Sequence, residues 1–463
     1  MFARKIFYIA LTTCILINHL YASSYVALIN NYSSNSVSVV DLPLGGTPIN
    51  IPVGSAPYDI VTTPNMQTAY VTNSGDNTVS VIDVFTNSVT GSPIPVGTSP
   101  YYIAITPDGS KAFVTNNGSA NVSVIDIASN TVSATIPAGN GPDGILITPD
   151  GKKVYVTNDI DNTVTVINAL TNKAIAAITV GNQGGYGSTA TVTPDSAYVY
   201  VPNYNDGTVT VIRTCDNRTC TLMMPDGGQA STAFAISDGT KIYVPADNSN
   251  FIAIIETFCN TLSADTILVG LEPYDIAFSQ DGSTAYVGNA LDGTISLIDV
   301  PTDSSIETFA GGPSPDTLAL APDADHVLVV FNYAPGTLGS IDIANNNTLT
   351  TIAALQDNPY YVAFGFLLAP PTHLRARQSK IEFGFQITCT NILHWDPPNK
   401  GVPPVAYNVY RNNKLLGVVS ADCSLKYKDY DCYKGVQYTY SVRSKDAEGN
   451  LSEPTSVIIN ESH

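Results

Sequence analysis

The sequence predicts an all-β chain in which a unit of four short antiparallel strands recurs eight times, followed by a smaller β domain. Three observations predict it. Apolar, β-branched segments closing on a polar residue end at Asp41, Asp83, Asp126, Asn168, Arg213, Glu256, Asp299 and Asp342, a step of 42–45 residues throughout. Turn-forming pairs separate the segments, and they recur at matching positions of the repeat. Charged residues are only 13% of the chain, whereas Gly (34) and Pro (30) are plentiful, a composition suited to short strands joined by tight turns.

The second unit shows the elements in order. Tyr58-Asp59-Ile60-Val61-Thr62 reads as strand A, with Thr63-Pro64-Asn65 turning the chain. Ala69-Tyr70-Val71-Thr72-Asn73 is strand B, residues 79–83 form strand C after Asp76-Asn77, and strand D lies near Ile94-Pro95-Val96. Pro107-Asp108-Gly109 and Pro149-Asp150-Gly151 recur between A and B; Asp206-Gly207 and Asp292-Gly293 recur between B and C. Such pairs tolerate the positive φ that tight hairpins require. Strand C alternates, with Val79 and Val81 on one face and Ser80 and Ile82 on the other, which suits a sheet covered on both sides.

Four antiparallel strands every 40–45 residues is the spacing of a propeller blade. Residues 25–53 supply B, C and D with no A before them, and residues 359–367 supply an A with nothing after it. The two pieces complete one blade and remove an open edge. The expectation is therefore an eight-bladed β-propeller, with seven blades plus one displaced unit as the alternative.

Tyr70-Val71-Thr72-Asn73, Phe113-Val114-Thr115-Asn116 and Tyr155-Val156-Thr157-Asn158 resemble the YVTN repeat of bacterial and archaeal surface-layer and periplasmic propellers; degenerate copies begin at Tyr200, Tyr243 and Tyr286. The resemblance spans residues 25–368. Relatives of this shape include cell-surface binding proteins, lactone hydrolases and a ring-opening lyase, so the resemblance implies a fold more than an activity. Ala369-Pro370-Pro371 marks a boundary, and residues 369–463 resemble a fibronectin type III β-sandwich. The resemblance is carried by Trp395 before Asp396-Pro397-Pro398, by Ala406-Tyr407-Asn408-Val409-Tyr410-Arg411, and by Gln437-Tyr438-Thr439-Tyr440-Ser441-Val442. It implies a spacer or a module that binds proteins or glycans.

The amino terminus reads as a secretory signal, residues 1–22: Arg4 and Lys5, an apolar run over 6–17, then Leu20-Tyr21-Ala22 before Ser23. An uncleaved anchor is the alternative, although the run is short for a membrane span of about 20 residues. No other segment is expected to span a bilayer, and the destination is periplasmic, cell-surface or secreted. Residues 23–369 carry 7 basic and 30 acidic side chains, a net of −23. So acidic a surface repels phosphate backbones, which excludes nucleic acid as an expected partner. Disulfides are permitted in an exported chain. Thr214-Cys215-Asp216-Asn217-Arg218-Thr219-Cys220 reads as a hairpin able to bridge Cys215 and Cys220; Cys423 with Cys432 is a second candidate, leaving Cys259 and Cys389 free or joined to each other.

Chemistry is sparse. The propeller segment holds one histidine, His326, at an A–B turn, so no Ser-His-Asp triad, zinc triad or haem site is expected, and neither metal nor cofactor. The Asp closing strand C reads as a turn-former, without the calcium-loop pattern. The loops from D to the next A are more informative. Most carry Gly-x-x-Pro, and they continue with Tyr or Asp: Tyr58-Asp59, Tyr101-Tyr102, Asp143, Tyr186, Tyr274-Asp275, Asp316 and Tyr360-Tyr361, with Ser231-Thr232 breaking the pattern. Repeat-equivalent positions fall on one ring at the channel mouth, with Asp59 and Asp275 expected at its wet rim. Aromatic faces and acids suit a glycan, cationic or protein ligand; duplication of one structural turn would give the same recurrence. The expected function is a monomeric, non-catalytic binding or adhesion scaffold. A lactonase-like hydrolase using channel carboxylates and a structural envelope component are the alternatives.

Overall fold

The computed structural model describes residues 25–459, apart from 43–44, 184–188, 346, 384–385, 400, 422, 433–435 and 448. The expected leader and Tyr186 lie outside the described residues. The architecture is all-β, and helical turns among the described residues are confined to Asn117–Ser119 and Pro225–Gly227.

Eight antiparallel sheets follow the predicted period. The second shows how each unit is ordered: Pro57–Thr62 (A) beside Thr68–Asn73 (B) beside Thr78–Asp83 (C), with the outer strand split into Ser88–Val89 and Ile94–Pro95. The other seven have four strands each. The first sheet draws on both ends of the repeat region. Its order is Ile49–Pro52, Ser36–Asp41, Tyr25–Asn31 and Pro359–Phe366, with Tyr25 opposite Phe366 and Ala27 opposite Phe364.

Sheets stack face to face, so strands B and C are apolar on both sides, as in Thr68–Asn73, buried from Ala69 onward. Val26, Leu28 and Val37 of the first sheet share a core with Ile60, Val71 and Ile82 of the second. Ala27, Ile29 and Val40 share another with Leu328, Val330 and Leu338 of the eighth. At about 1.5–3 kcal/mol for each fully buried aliphatic side chain, every such seam is a substantial part of the stability.

The Tyr-Val-Thr-Asn segment has a physical reason at each place. The tyrosine hydroxyl crosses to the next sheet and donates to an Asx residue held at positive φ in its C–D turn: Tyr70 to Asn130 (2.6 Å), Tyr243 to Asp303 (2.6 Å) and Tyr286 to Asn347 (2.7 Å). The valine fills the seam. Thr72 donates to the Tyr101 carbonyl in the next strand A, at 2.6 Å. The buried asparagine amide reaches across the B–C hairpin, Asn73 to Thr78 and Ser80, Asn116 to Asn121 and Ser123, tying down polar groups that would be costly to bury unpaired.

Beyond residue 369, Thr372–Phe383, Gln386–Asp396 and Lys426–Cys432 form one sheet. Lys414–Ser420, Ala406–Arg411, Tyr438–Lys445 and Thr455–Ile459 form another. Leu393, Trp395, Tyr407, Val409, Tyr440 and Val442 make their common core, with Trp395 edge-on to Tyr407 at 5.5 Å. The two expected disulfides are not formed: Cys215, Cys220 and Cys423 are exposed thiols and Cys432 a buried one. Register separates the first pair, since Cys220 lies within a strand opposite Val211 while Cys215 belongs to the turn. Cys432 is paired by backbone with Cys389 rather than with Cys423.

Candidate functional site

Because successive strands are antiparallel, the starts of A, the B–C turns and the D–A loops share one end of every sheet. The A–B and C–D turns share the other. The first end is the mouth, and its loops are pinned by the neighbouring B–C turns. Asp76 accepts the Ser55 amide at 2.5 Å, Asp161 that of Asn140 at 2.7 Å, Asp206 that of Asn182 at 2.7 Å and Asp292 that of Leu271 at 2.9 Å. The rigid loops then deliver the first residues of each A strand to the centre.

Five of the predicted tyrosines meet there. Tyr58 stacks on Tyr101 at 4.5 Å with 9° between planes, and lies 5.4 Å from Tyr102 and 6.3 Å from Tyr360. Tyr102 and Tyr361 join hydroxyl to hydroxyl at 2.7 Å. Burial pushes the phenols of Tyr58, Tyr102 and Tyr361 well up from their ordinary value, so this wall is neutral at any physiological pH.

Opposite it the mouth is acidic. Asp143, 4% exposed, lies at the start of its strand Pro142–Ile147, its charge felt by the phenols of Tyr58, Tyr101, Tyr102 and Tyr274, and is hydrogen-bonded to Asp159. Burial first, then the neighbouring Asp159, holds the Asp143 carboxyl well above the usual range. The Tyr274 phenol is raised by burial first and then by the charges of Asp247, Asp275, Asp316 and Asp143. It borders a cleft of about 260 Å³ with Tyr204, Ser231, Asp247, Glu272 and Ala290. Asp247 accepts the Ser231 hydroxyl at 2.7 Å, and burial raises its carboxyl to about 7. Asp316 accepts the Ser314 hydroxyl at 2.8 Å, and its carboxyl too is raised by burial.

Asp59 and Asp275 sit elsewhere than a wet rim. Each spends both carboxylate oxygens on backbone amides: Asp59 on Ile60 (2.8 Å) and on Ile103 of the next sheet (3.0 Å), Asp275 on Ile276 (2.8 Å) and on Leu318 of the next sheet (2.8 Å). Burial nevertheless raises both to about 6. They bracket neighbouring sheets.

Asp159 and Asp247 were missed by reading strand A alone. Each immediately follows the Asn place of the repeat, in Thr157-Asn158-Asp159 and Pro245-Ala246-Asp247. The same column carries Tyr32, which lies 5.8 Å from Tyr360, as well as Tyr204 and Ala290 of the cleft. That column was the available signal. His326 lies at the far end, its Nδ1 2.8 Å from Asp323, and the strand C aspartates close turns as expected, Asp83 accepting the Phe85 and Thr86 amides.

Charge divides between the two ends. All seven basic residues between 23 and 369 lie at the far end: Lys111, Lys152, Lys153 and Lys241 at A–B turns or the B strands they open, and Lys173, Arg213 and Arg218 around C–D turns. Several are occupied there, Lys241 by Asp303 and Lys111 by Asn172. The mouth end holds acids alone.

A family model described as a YNCE-like beta-propeller matches residues 8–195. No curated protein matches the chain. Among solved structures, dihydro-heme d1 dehydrogenase NirN, in complex with DHE, is similar at 14% identity over 73% of this chain and 74% of its own, with a TM-score of 0.59. AztD of Citrobacter koseri is similar at 11% over 73% and 97%, with a TM-score of 0.55. A candidate 6-phosphogluconolactonase of Bacteroides uniformis is similar at 15% over 74% and 100%, with a TM-score of 0.50. Identities this low speak to fold alone: the repeat region is a β-propeller, on which proteins of varied function are built.

Proposed function

We propose that this β-propeller chain is an exported binding or adhesion scaffold that presents a tyrosine- and aspartate-lined mouth to a ligand. Its parts are a signal, residues 1–22, an eight-bladed YVTN-type propeller, residues 23–368, and a fibronectin type III-like sandwich, residues 369–463. The convergence of Tyr58, Tyr101, Tyr102, Tyr274, Tyr360 and Tyr361 with Asp143 at one end of the sheets carries the reading. A shared turn explains why each loop has a Tyr or Asp; it does not explain buried carboxyls left facing rings.

Two further observations favour it. The final A strand ends at Phe366, at the far end, and the Val402 amide bonds to the Leu367 carbonyl there, so the carboxy-terminal sheets depart from the end opposite the mouth. The stacked tyrosines also need no rearrangement to offer faces and hydroxyls, and preorganisation reduces the cost of binding. Glycan and protein arrays probed with the full chain test the proposal. Ligands captured by the chain and lost in a Tyr101→Ala, Tyr274→Ala double variant that still folds would support it; ligands retained by that variant would move the function away from the mouth.

The Asp143–Asp159 pair favours one second reading, a hydrolase in which the two carboxyls act as general acid and base. Lactone hydrolysis that Asp143→Asn abolishes would establish it.

A further inference from the structure

We propose that the mouth takes an organic cation, an ammonium or guanidinium group seated on the Asp143–Asp159 pair against the rings of Tyr58, Tyr101 and Tyr274. The inference rests on the binding-scaffold reading and narrows its ligand to one chemical class.

Three independent observations lead to it. The first is an orphaned group: Asp143 is 4% exposed, and its Oδ1 accepts no hydrogen bond among the described residues. A buried carboxylate oxygen without a donor is costly, and its charge is felt by the phenols of Tyr58, Tyr101, Tyr102 and Tyr274. A cation supplies the missing donor and charge together. The second is the separation of charge. Every basic side chain of the propeller stands at the opposite end, so nothing within the mouth neutralises its acids, and the field there draws cations in. The third is the material of the walls. Stacked tyrosine faces beside acids suit an ammonium or guanidinium through cation–π attraction. A hard metal ion wants six or more oxygen ligands, and here two carboxyls stand among rings. The cleft of about 260 Å³ beside Tyr274 has room for the body of such a ligand, with Asp247 Oδ1 a second acceptor that lacks a donor.

A neutral sugar fits less well. Its hydroxyls could donate to Asp143, but they would leave the acids at the mouth without a counter-charge. The raised Asp143 carboxyl gives the cation proposal a signature. Asp143 faces Asp159 from the B–C turn of its own sheet, Tyr101 and Tyr102 from the preceding A strand, and Tyr58 and Tyr274 across the mouth. Burial first, then Asp159, favours the protonated form of Asp143. A bound cation replaces that proton, so binding releases it to solvent and strengthens as pH rises.

Isothermal titration of the full chain with methylguanidinium, tetramethylammonium and a short arginine- and lysine-bearing peptide tests this, the peptide arm separating a small-molecule source from a protein one. At least one probe should bind, with proton release seen as a heat that depends on buffer ionisation. Affinity should rise with pH, by at most about ten-fold per unit, the limit for one proton displaced. Asp143→Asn, with Asp159→Asn as a second variant should the first not fold, should weaken binding at least about ten-fold, comparable to losing one charge-assisted contact. Absence of binding by all three probes, or binding indifferent to both substitutions, overturns the proposal. If a neutral glycan binds in a Tyr274-dependent, Asp143-independent way, the cation inference falls and the scaffold reading stands. If nothing binds on titration or on the arrays, both fall.

Discussion

The Tyr70 hydroxyl donates a 2.6 Å hydrogen bond to Oδ1 of Asn130, sixty residues later and one sheet further on. Asn130 holds φ at 51° in its C–D turn, a left-handed conformation that asparagine tolerates better than most residues. One bond thus links the repeat's tyrosine to its turn residue, and repeats it at Tyr243–Asp303 and Tyr286–Asn347.

Tyr155 and Asn217 stand in the equivalent places across the one 45-residue step, and there neither the hydroxyl nor Asn217 Oδ1 has a partner. Tyr70→Phe should therefore cost about 1–2 kcal/mol, the value of a bond plus a stranded acceptor, while Tyr155→Phe should be neutral or slightly stabilising. Chemical denaturation of the two variants checks the contrast; equal losses would remove the bridging role from the tyrosine.

Asp59 and Asp275 each clamp two backbone amides across a sheet boundary. Asparagine can accept one of these and must turn an N–H toward the other. Asp59→Asn with Asp275→Asn should lower the melting temperature clearly at pH 8 while leaving ligand capture at the mouth intact. Unchanged melting with lost binding would return these acids to the ligand site.

The same acids tilt stability with pH. Folding raises Asp59 and Asp275 to about 6 and Asp247 to about 7 from a starting value of 3.8, by burial. The folded state thus binds more protons than the unfolded one above the unfolded value, so stability falls as pH rises from about 4 to about 7. Calorimetric scans should show the melting temperature declining across this window, and Asp247→Asn should flatten the upper part. A rising profile would contradict the burial of these groups.

Among the described residues, Tyr25–Asn31 alone joins Pro359–Phe366 to the rest of the first sheet. Deleting residues 23–42 removes that strand, its neighbour Ser36–Asp41 and one half of two apolar seams. The repeat region should then lose its cooperative thermal transition rather than merely shift it. A transition preserved at the parental temperature would show that closure adds nothing.

Much of the site was legible from recurrence. Each A strand opens at the same end of its sheet, so Tyr58, Tyr101, Tyr102, Tyr274 and Tyr360 could be placed at one mouth from their positions in the repeat. The roles of the acids were not legible. Asp59 and Asp143 lie near the starts of A strands two sheets apart, one residue out of step, yet one clamps the next sheet and the other keeps an unpaired oxygen beside Asp159. Asp159 entered unseen because it belongs to a different column, after the Asn place.

Local sequence by itself determined the strands, the turns and the period, since alternation, β-branching and positive-φ residues act over a few neighbours and say so wherever they recur. Tertiary structure alone decided which acids would be satisfied and which left facing rings. Whether a carboxylate finds an amide depends on a strand some forty residues away, at a distance and angle set by how two sheets stack, and nothing local to Asp59 or Asp143 encodes that meeting.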